Sequence, residues 1–305
     1  MVEEAREKKL LLGAALVLLS GIFYAPVAVL GKICVEAGVE PVTLNVIRLI
    51  ISVAILGLLA LHRARAGKRL PLAAKIISFV FGSFVWALGG LLFFIALGMI
   101  DASLAYLLMY VYPAVVLVIS VSIGWERFAA SKAAAVVLTF LGVALVLRVG
   151  DGSGGNLLGG VALVMGTTLF FAIYVLVYDR YLTDYSSALV SFFTMLGGLA
   201  MILAIAPFHG FDLGFVGKDP QLLLLVTGTA LGSVGSIIFF LQGIQHIGAS
   251  WASIISTIQP VLVVLLSWVV LDEVMGPLQL FGALLLVFGV VLIRWEKKPS
   301  VKAAT

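Results

Sequence analysis

The chain repeats itself at an offset of 147 positions, and this limits what it can fold into more than any other feature. Ile100, Ala102, Ser103, Ala105, Pro113 and Glu126 recur as Ile247, Ala249, Ser250, Ala252, Pro260 and Glu273. The same shift pairs Ser120 with Ser267 and Gly142 with Gly289. It also reaches back to pair Gly13, Phe23 and Ala25 with Gly160, Phe170 and Ala172. Coincidences of Leu and Val mean little in so apolar a chain. The prolines, the Ala-Ser pairs and the glutamates, all at one offset, mark a duplicated unit.

Composition sets the solvent. Of 305 residues, 63% are hydrophobic and 11% charged, against about 25% charged in a soluble domain. Such a balance does not cover a water-facing surface, so the chain reads as an all-α integral membrane protein. Apolar runs lie at 10–31, 42–61, 76–98, 102–124, 133–147, 157–178, 186–206, 221–241, 248–271 and 277–293. Most reach the roughly 17–25 residues that a spanning helix needs. The run at 133–147 is short, but Lys132 and Arg148 flank it and can snorkel to the interface. The expectation is ten transmembrane helices, five in each repeat, over 10–149 and 157–294. A charged start before an apolar run also fits a signal peptide, but the first run is as long as a span and is matched at 157–178.

Basic residues give the orientation. With the N-terminus in the cytoplasm, fifteen of the nineteen Lys and Arg fall on the inner side; Lys32, Arg148 and Lys218 fall outside, and Arg48 lies within a span. Both termini are therefore expected in the cytoplasm of a multi-pass protein of the cell membrane. Five is an odd number, so the second repeat enters from the opposite side. Inverted repeats of this sort build secondary transporters, with the substrate site near the midplane between the halves. Gly150–Gly155 reads as a flexible joint between the repeats. A phosphate loop there lacks a preceding strand and a following Lys-Ser/Thr.

The missing groups are informative. The fifteen carboxylates sit at helix ends, in loops or in tails, and His62, His209 and His246 lie in different loops without ligand spacing. No catalytic residue, metal site or cofactor is indicated, and nothing suggests nucleic acid. One cysteine, Cys34, excludes an internal disulfide. A proton relay through a buried carboxylate lacks its central residue.

Arg48 is the exception, a charge about 9 Å inside its span at 1.5 Å per residue. Asn45 and Ser52 share its helical face. Arg48 is expected either to attract an anionic group such as a substrate carboxylate or to be structural, snorkelling or paired with Asp101 or Glu40. Other helices show comparable stripes: Tyr106, Met109, Tyr110 and Pro113; their repeat partners Ser253, Ser256, Thr257 and Pro260; Thr167, Phe171, Tyr174 and Tyr178; Ser20, Tyr24 and Gly31; Trp86 and Gly90. Each stripe alone fits helix packing; together they suggest an amphipathic, aromatic-rich central cavity. Pro113 and Pro260 each remove a backbone hydrogen bond and are expected to act as hinges, exposing the carbonyls of Met109 and Ser256. Gly228 and Gly232 read as packing within the monomer, with a homodimer seam as the alternative.

These motifs carry a family resemblance. Ala-Ser-x-Ala, a Pro eight residues beyond the second Ala and a closing Glu, present at Ala102–Glu126 and again at Ala249–Glu273, resemble the EamA branch of the drug/metabolite transporter superfamily. Pro41 to Arg48 looks like that family's opening of the second helix, and Leu138–Val146 and Leu285–Val291 like the helix that ends each repeat. The resemblance implies a cavity lined by the first four helices of each half and the export of amino acids, purines or other metabolites. One departure is Ser20-Gly21, where many relatives carry a Trp.

The resulting expectation is not an enzyme but a secondary transporter of a small organic metabolite, most of all an amino acid, exporting it by alternating access. Asn45, Arg48, Trp86, Tyr106, Tyr110, Tyr174, Ser253 and Thr257 are the expected substrate contacts. The partners called for are the solute and the lipid bilayer. Efflux of lipophilic cations is the nearest alternative and lacks an intramembrane anion. A membrane enzyme or lipid-handling scaffold lacks a reactive cluster.

Overall fold

A backbone in hydrocarbon has to satisfy its own hydrogen bonds, which leaves helices or closed barrels. The computed structural model describes residues 2–65, 69–125, 130–146, 155–209, 211–214, 219–256 and 258–295, and among these all regular structure is helical. The elements run α1 (Val2–Glu36), α2 (Pro41–Arg65), α3 (Leu72–Gly82), a π-helical segment (Ser83–Gly89) and α4 (Gly90–Leu97). There follow α5 (Ala102–Met109), α6 (Tyr112–Ser122), α7 (Ala130–Val146), α8 (Gly155–Tyr181) and α9 (Ser187–Ile205) with a 3-10 turn. The last are α10 (Pro220–Ile255), α11 (Ile258–Leu271) and α12 (Pro277–Trp295). Among the described residues, seven helices are long and apolar enough to cross a membrane. Three further apolar helices are shorter, Val136–Val146, Ile258–Leu271 and Pro277–Gly289. The chain is a multi-pass membrane protein.

The second half runs inverted relative to the first. Gly31 near the end of α1 abuts Phe94 and Leu97, and Lys32 reaches the Ile100 carbonyl. Gly159 and Gly160 at the start of α8 abut Met99 and Ile100. One helix ends where its counterpart begins, so the two are antiparallel. Packing follows the same symmetry: α1 lies on α10 as α8 lies on α4 and the π segment. The pairs α2–α9 and α7–α12 each join an element to its own counterpart.

Glycines set the closest crossings. A Cβ at Gly82 would stand 2.0 Å from the Thr194 carbonyl oxygen, and one at Gly197 would stand 2.0 Å from that of Phe79, so α3 and α9 meet backbone to backbone. Gly82→Ala is expected to destabilise the protein by about 3 kcal/mol, the upper end of ordinary overpacking, because a backbone carbonyl cannot rotate away. Thermal unfolding in detergent measures this; an unchanged midpoint would contradict so tight a crossing. Gly228 and Gly232 face Leu30 and Phe23 of α1, so this glycine face packs inside the chain.

One boundary and one hydrogen bond differ from the sequence expectation. The helical backbone of α10 runs through the point where a new span was expected at 248. The first repeat leaves the helix at the matching place, turning at Gly98–Ile100. The direction still reverses there. Gly228 faces Leu30, Gly243 faces Val17 and Ile247 faces Gly13, but Gly21 faces Gln259. The second difference concerns Pro260. The Ser256 carbonyl is not left open, because the Gln259 amide donates to it at 2.9 Å in a tighter turn.

Candidate functional site

The kink between α5 and α6 and the π segment both face the space between the repeats. There a cavity of about 80 Å³ is walled by side chains from both halves. Arg48 from α2, Trp86 from the π segment, Tyr106 from α5, and Tyr110 lie in its wall, joined by Ser20 and Tyr24 of α1. Thr167 and Phe171 of α8, Ser236 of α10 and Gln259 of α11 close it from the second half. At roughly 10–15 Å³ for one water, it has room for several waters.

The π segment explains how Arg48 is held. Widening the helix frees carbonyls that would otherwise bond along it. Asn45 Nδ2 donates to the Trp86 and Ala87 carbonyls at 3.0 Å each, and Thr167 Oγ1 donates to that of Gly89 at 2.9 Å. The Asn45 Oδ1 then accepts from Arg48 Nη2 at 2.6 Å. Arg48 also donates to Ser233 at 3.3 Å and to the Trp86 carbonyl at 3.4 Å. Its guanidinium lies 5.4 Å from the Trp86 ring centroid and 5.0 Å from that of Phe94, a distance at which the ring faces attract a cation. Gly90 makes room, since a Cβ there would sit 2.6 Å from Arg48 Nη2. Arg48 is 4% exposed and forms no ion pair among the described residues. Its Nε and the Trp86 Nε1 are buried without a hydrogen-bond partner there. The pairing with Asp101 does not form, because Asp101 bonds to Lys32 at 3.4 Å. Ser52 shares the Arg48 face, but its hydroxyl makes no hydrogen bond among the described residues.

A polar relay crosses the other wall. The Tyr106 hydroxyl donates to Gln259 Oε1 at 2.8 Å, Gln259 Nε2 reaches Ser20 Oγ at 3.5 Å, and Ser20 meets Ser236 at 3.3 Å. The hydroxyls of Tyr110 and Ser256 are hydrogen-bonded across the two kinks. The aromatic rings of Tyr24, Tyr106, Tyr110, Tyr112, Phe171, Tyr174 and Tyr178 form a continuous series, with neighbouring centroids 5.0–6.5 Å apart.

Of the residues singled out by sequence, Arg48, Trp86, Tyr106 and Tyr110 line the cavity together. Asn45 stands behind them as the group that orients Arg48. Tyr174 is 1% exposed and packed behind Phe171. Thr257 and the side chain of Ser253 lie outside the described residues. Pro113 lies in the first turn of α6, just past the break at Tyr110–Val111, and Pro260 lies in the first turn of α11. The sequence reading passed over Gln259, although it is the one amide in its apolar run and immediately precedes Pro260. Ser20 does face the cavity, and a Cβ at Gly21 would come within 2.8 Å of Gln259.

At one end, the repeats are strapped together by Glu273 from the α11–α12 connection. Its carboxylate accepts the Ala102 amide at 2.7 Å, the Ser103 amide at 3.0 Å and the Ser103 hydroxyl at 2.6 Å. It also pairs with Lys32 at 3.2 Å, while Lys32 reaches Asp101 and Glu36 as well. The orphan N–H groups that begin α5 are thus capped by the other repeat. Burial pushes the Glu273 carboxyl up, but these hydrogen bonds and Lys32 outweigh burial and hold it below the usual glutamate value.

The family model of the EamA-like transporter family matches the chain twice, over residues 11–148 and 158–295. A crystal structure, described only as that of a protein, is similar in fold with a TM-score of 0.66 at 17% identity. The match covers 92% of this chain and 95% of that one. No curated protein matches by sequence.

Proposed function

This chain belongs to the EamA-like transporter family, and from that premise we propose that it moves small organic metabolites, amino acids foremost, out across the cell membrane. One observation carries the reading. Arg48 is a buried cation in a cavity wall between inverted repeats, with no carboxylate partner among the described residues. A charge so placed is costly unless something answers it, and a substrate carboxylate is the group of matching chemistry. Asn45 orients Arg48; Trp86, Tyr106 and Tyr110 supply the apolar and aromatic walls, and Gln259 with Ser20 supplies polar contacts. The three shorter apolar helices complete ten spans, with both termini in the cytoplasm. Alternating access turns on the kinks at Pro113 and Pro260, and the positive charge disfavours lipophilic cations. Lacking a carboxylate in its described wall, the carrier works as a facilitator or exchanger.

Counterflow in proteoliposomes with labelled amino acids tests this. Saturable uptake of a subset, stimulated by unlabelled solute on the far side, is the expected result. Non-saturable leak, or no counterflow with any amino acid, would overturn it.

A further inference from the structure

The connection between α2 and α3 is unlike its counterpart in the second repeat. Residues 62–75 contain Arg63, Arg65, Lys68, Arg69 and Lys75 and no carboxylate. Moved by the repeat offset, 209–222 contain Lys218 against Asp212 and Asp219. Arg69 and Lys75 fall on Val216 and Leu222. An inverted repeat places these connections at opposite ends of the bundle.

The basic end also has a groove. A space of about 420 Å³ opens between α2 and α9, with Arg69 and Lys75 on its border and Ala60, Leu61, Leu189 and Phe192 among its walls. Gly57 gives it depth, since only the Phe192 ring lies within 4 Å of a Cβ built there. Lys75 Nζ lies 5.6 Å from the Phe193 ring centroid, within reach of a cation–π contact with the groove wall. Beside it, Leu58 and Leu72 are each 71% exposed, as on a face turned to lipid. At the far end of α9, Leu203, Ala206, Pro207 and Phe211 line a hollow of about 460 Å³, with no cation among its lining residues.

We propose that the groove between α2 and α9 binds an anionic phospholipid, its phosphodiester held by Arg69 and Lys75 and an acyl chain laid along Leu61, Leu189 and Phe192. The occupant follows from the charge. A neutral chain would fit either hollow, whereas two cations bordering an apolar slot match a lipid that is acidic at its head and apolar below. Basic pockets between membrane helices hold such headgroups. The site is separate from the central cavity and does not depend on what the cavity carries.

Native mass spectrometry of the full chain, titrated with dioleoyl phosphatidylglycerol and dioleoyl phosphatidylcholine, tests the proposal. The wild type is expected to retain phosphatidylglycerol in preference. The Arg69→Gln/Lys75→Gln double variant should weaken that retention about thirtyfold, roughly fivefold for each cation, with phosphatidylcholine, whose choline offsets its phosphate, weakened far less. Lys218→Gln, at the opposite connection, should change neither. Gly57→Leu fills the slot and should weaken both lipids. Equal retention of the two lipids, a double variant that binds as the wild type does, or full displacement by soluble glycerol phosphate would each overturn the proposal.

Discussion

Arg48→Gln is expected to weaken substrate in counterflow by about tenfold to a hundredfold, the worth of one hydrogen bond to a charged group, without loss of thermal stability. The two halves of this expectation have one cause. Arg48 bonds to Asn45, Ser233 and the Trp86 carbonyl, all of them neutral, and has no carboxylate among the described residues. Burying a cation without a counter-charge costs more than such bonds return, so removing it relieves the fold. The carbonyls of Trp86 and Ala87 keep Asn45 as their donor. A purely structural arginine gives the opposite pattern: a fall of several degrees in melting temperature with affinity unchanged. Measuring counterflow affinity and melting on the same preparation separates the two.

Glu273→Ala should lower stability by about 3 kcal/mol, near the low end for breaking a buried ion pair. The Ala102 and Ser103 amides would lose their acceptor, and Lys32 would keep Asp101, Glu36 and the Ile100 carbonyl. The loss also depends on pH. The Glu273 carboxyl titrates lower in the folded chain than its ordinary value, so the folded state gains from it at neutral pH. That gain stays above the ordinary glutamate value and fades as pH falls through the depressed one. Melting temperatures from pH 7 down to pH 3 should converge for wild type and variant. A constant gap across that range would rule out ionised Glu273 as the source of the stability.

Much of this was legible in the sequence, for a physical reason in each case. Pro113, Pro260 and the paired Ala-Ser and Glu positions stand out because apolar spans seldom need them, so their recurrence revealed the duplicated unit. Arg48 was conspicuous because charge in a span is expensive. Helical spacing placed Tyr106 and Tyr110 on one face, and both line the cavity. The same rule put Tyr174 beside Phe171, but spacing gives only the face; which residue a neighbouring helix covers is decided by packing, and Phe171 takes the front place. The π segment left no trace, since a uniformly apolar run has no phase to reveal a change of winding. The role of Glu273 was hidden too. It caps Ala102 and Ser103 rather than the Ala249–Ser250 of its own repeat, and sequence proximity says nothing about a partner across the bundle.

That long-range cap bears on how the molecule is made. The first turn of α5 is finished by an acceptor 171 residues further along the chain. At about 5–20 residues per second, the ribosome takes roughly ten to thirty seconds to deliver it. Through that interval the early helices sit in the bilayer with the Ala102 and Ser103 amides waiting for their carboxylate. This end of the bundle cannot lock until the last connection has emerged. Truncation before Glu273 would therefore leave more than a missing helix: a half-built wall open at the end where Lys32 stands, and a natural target for quality control.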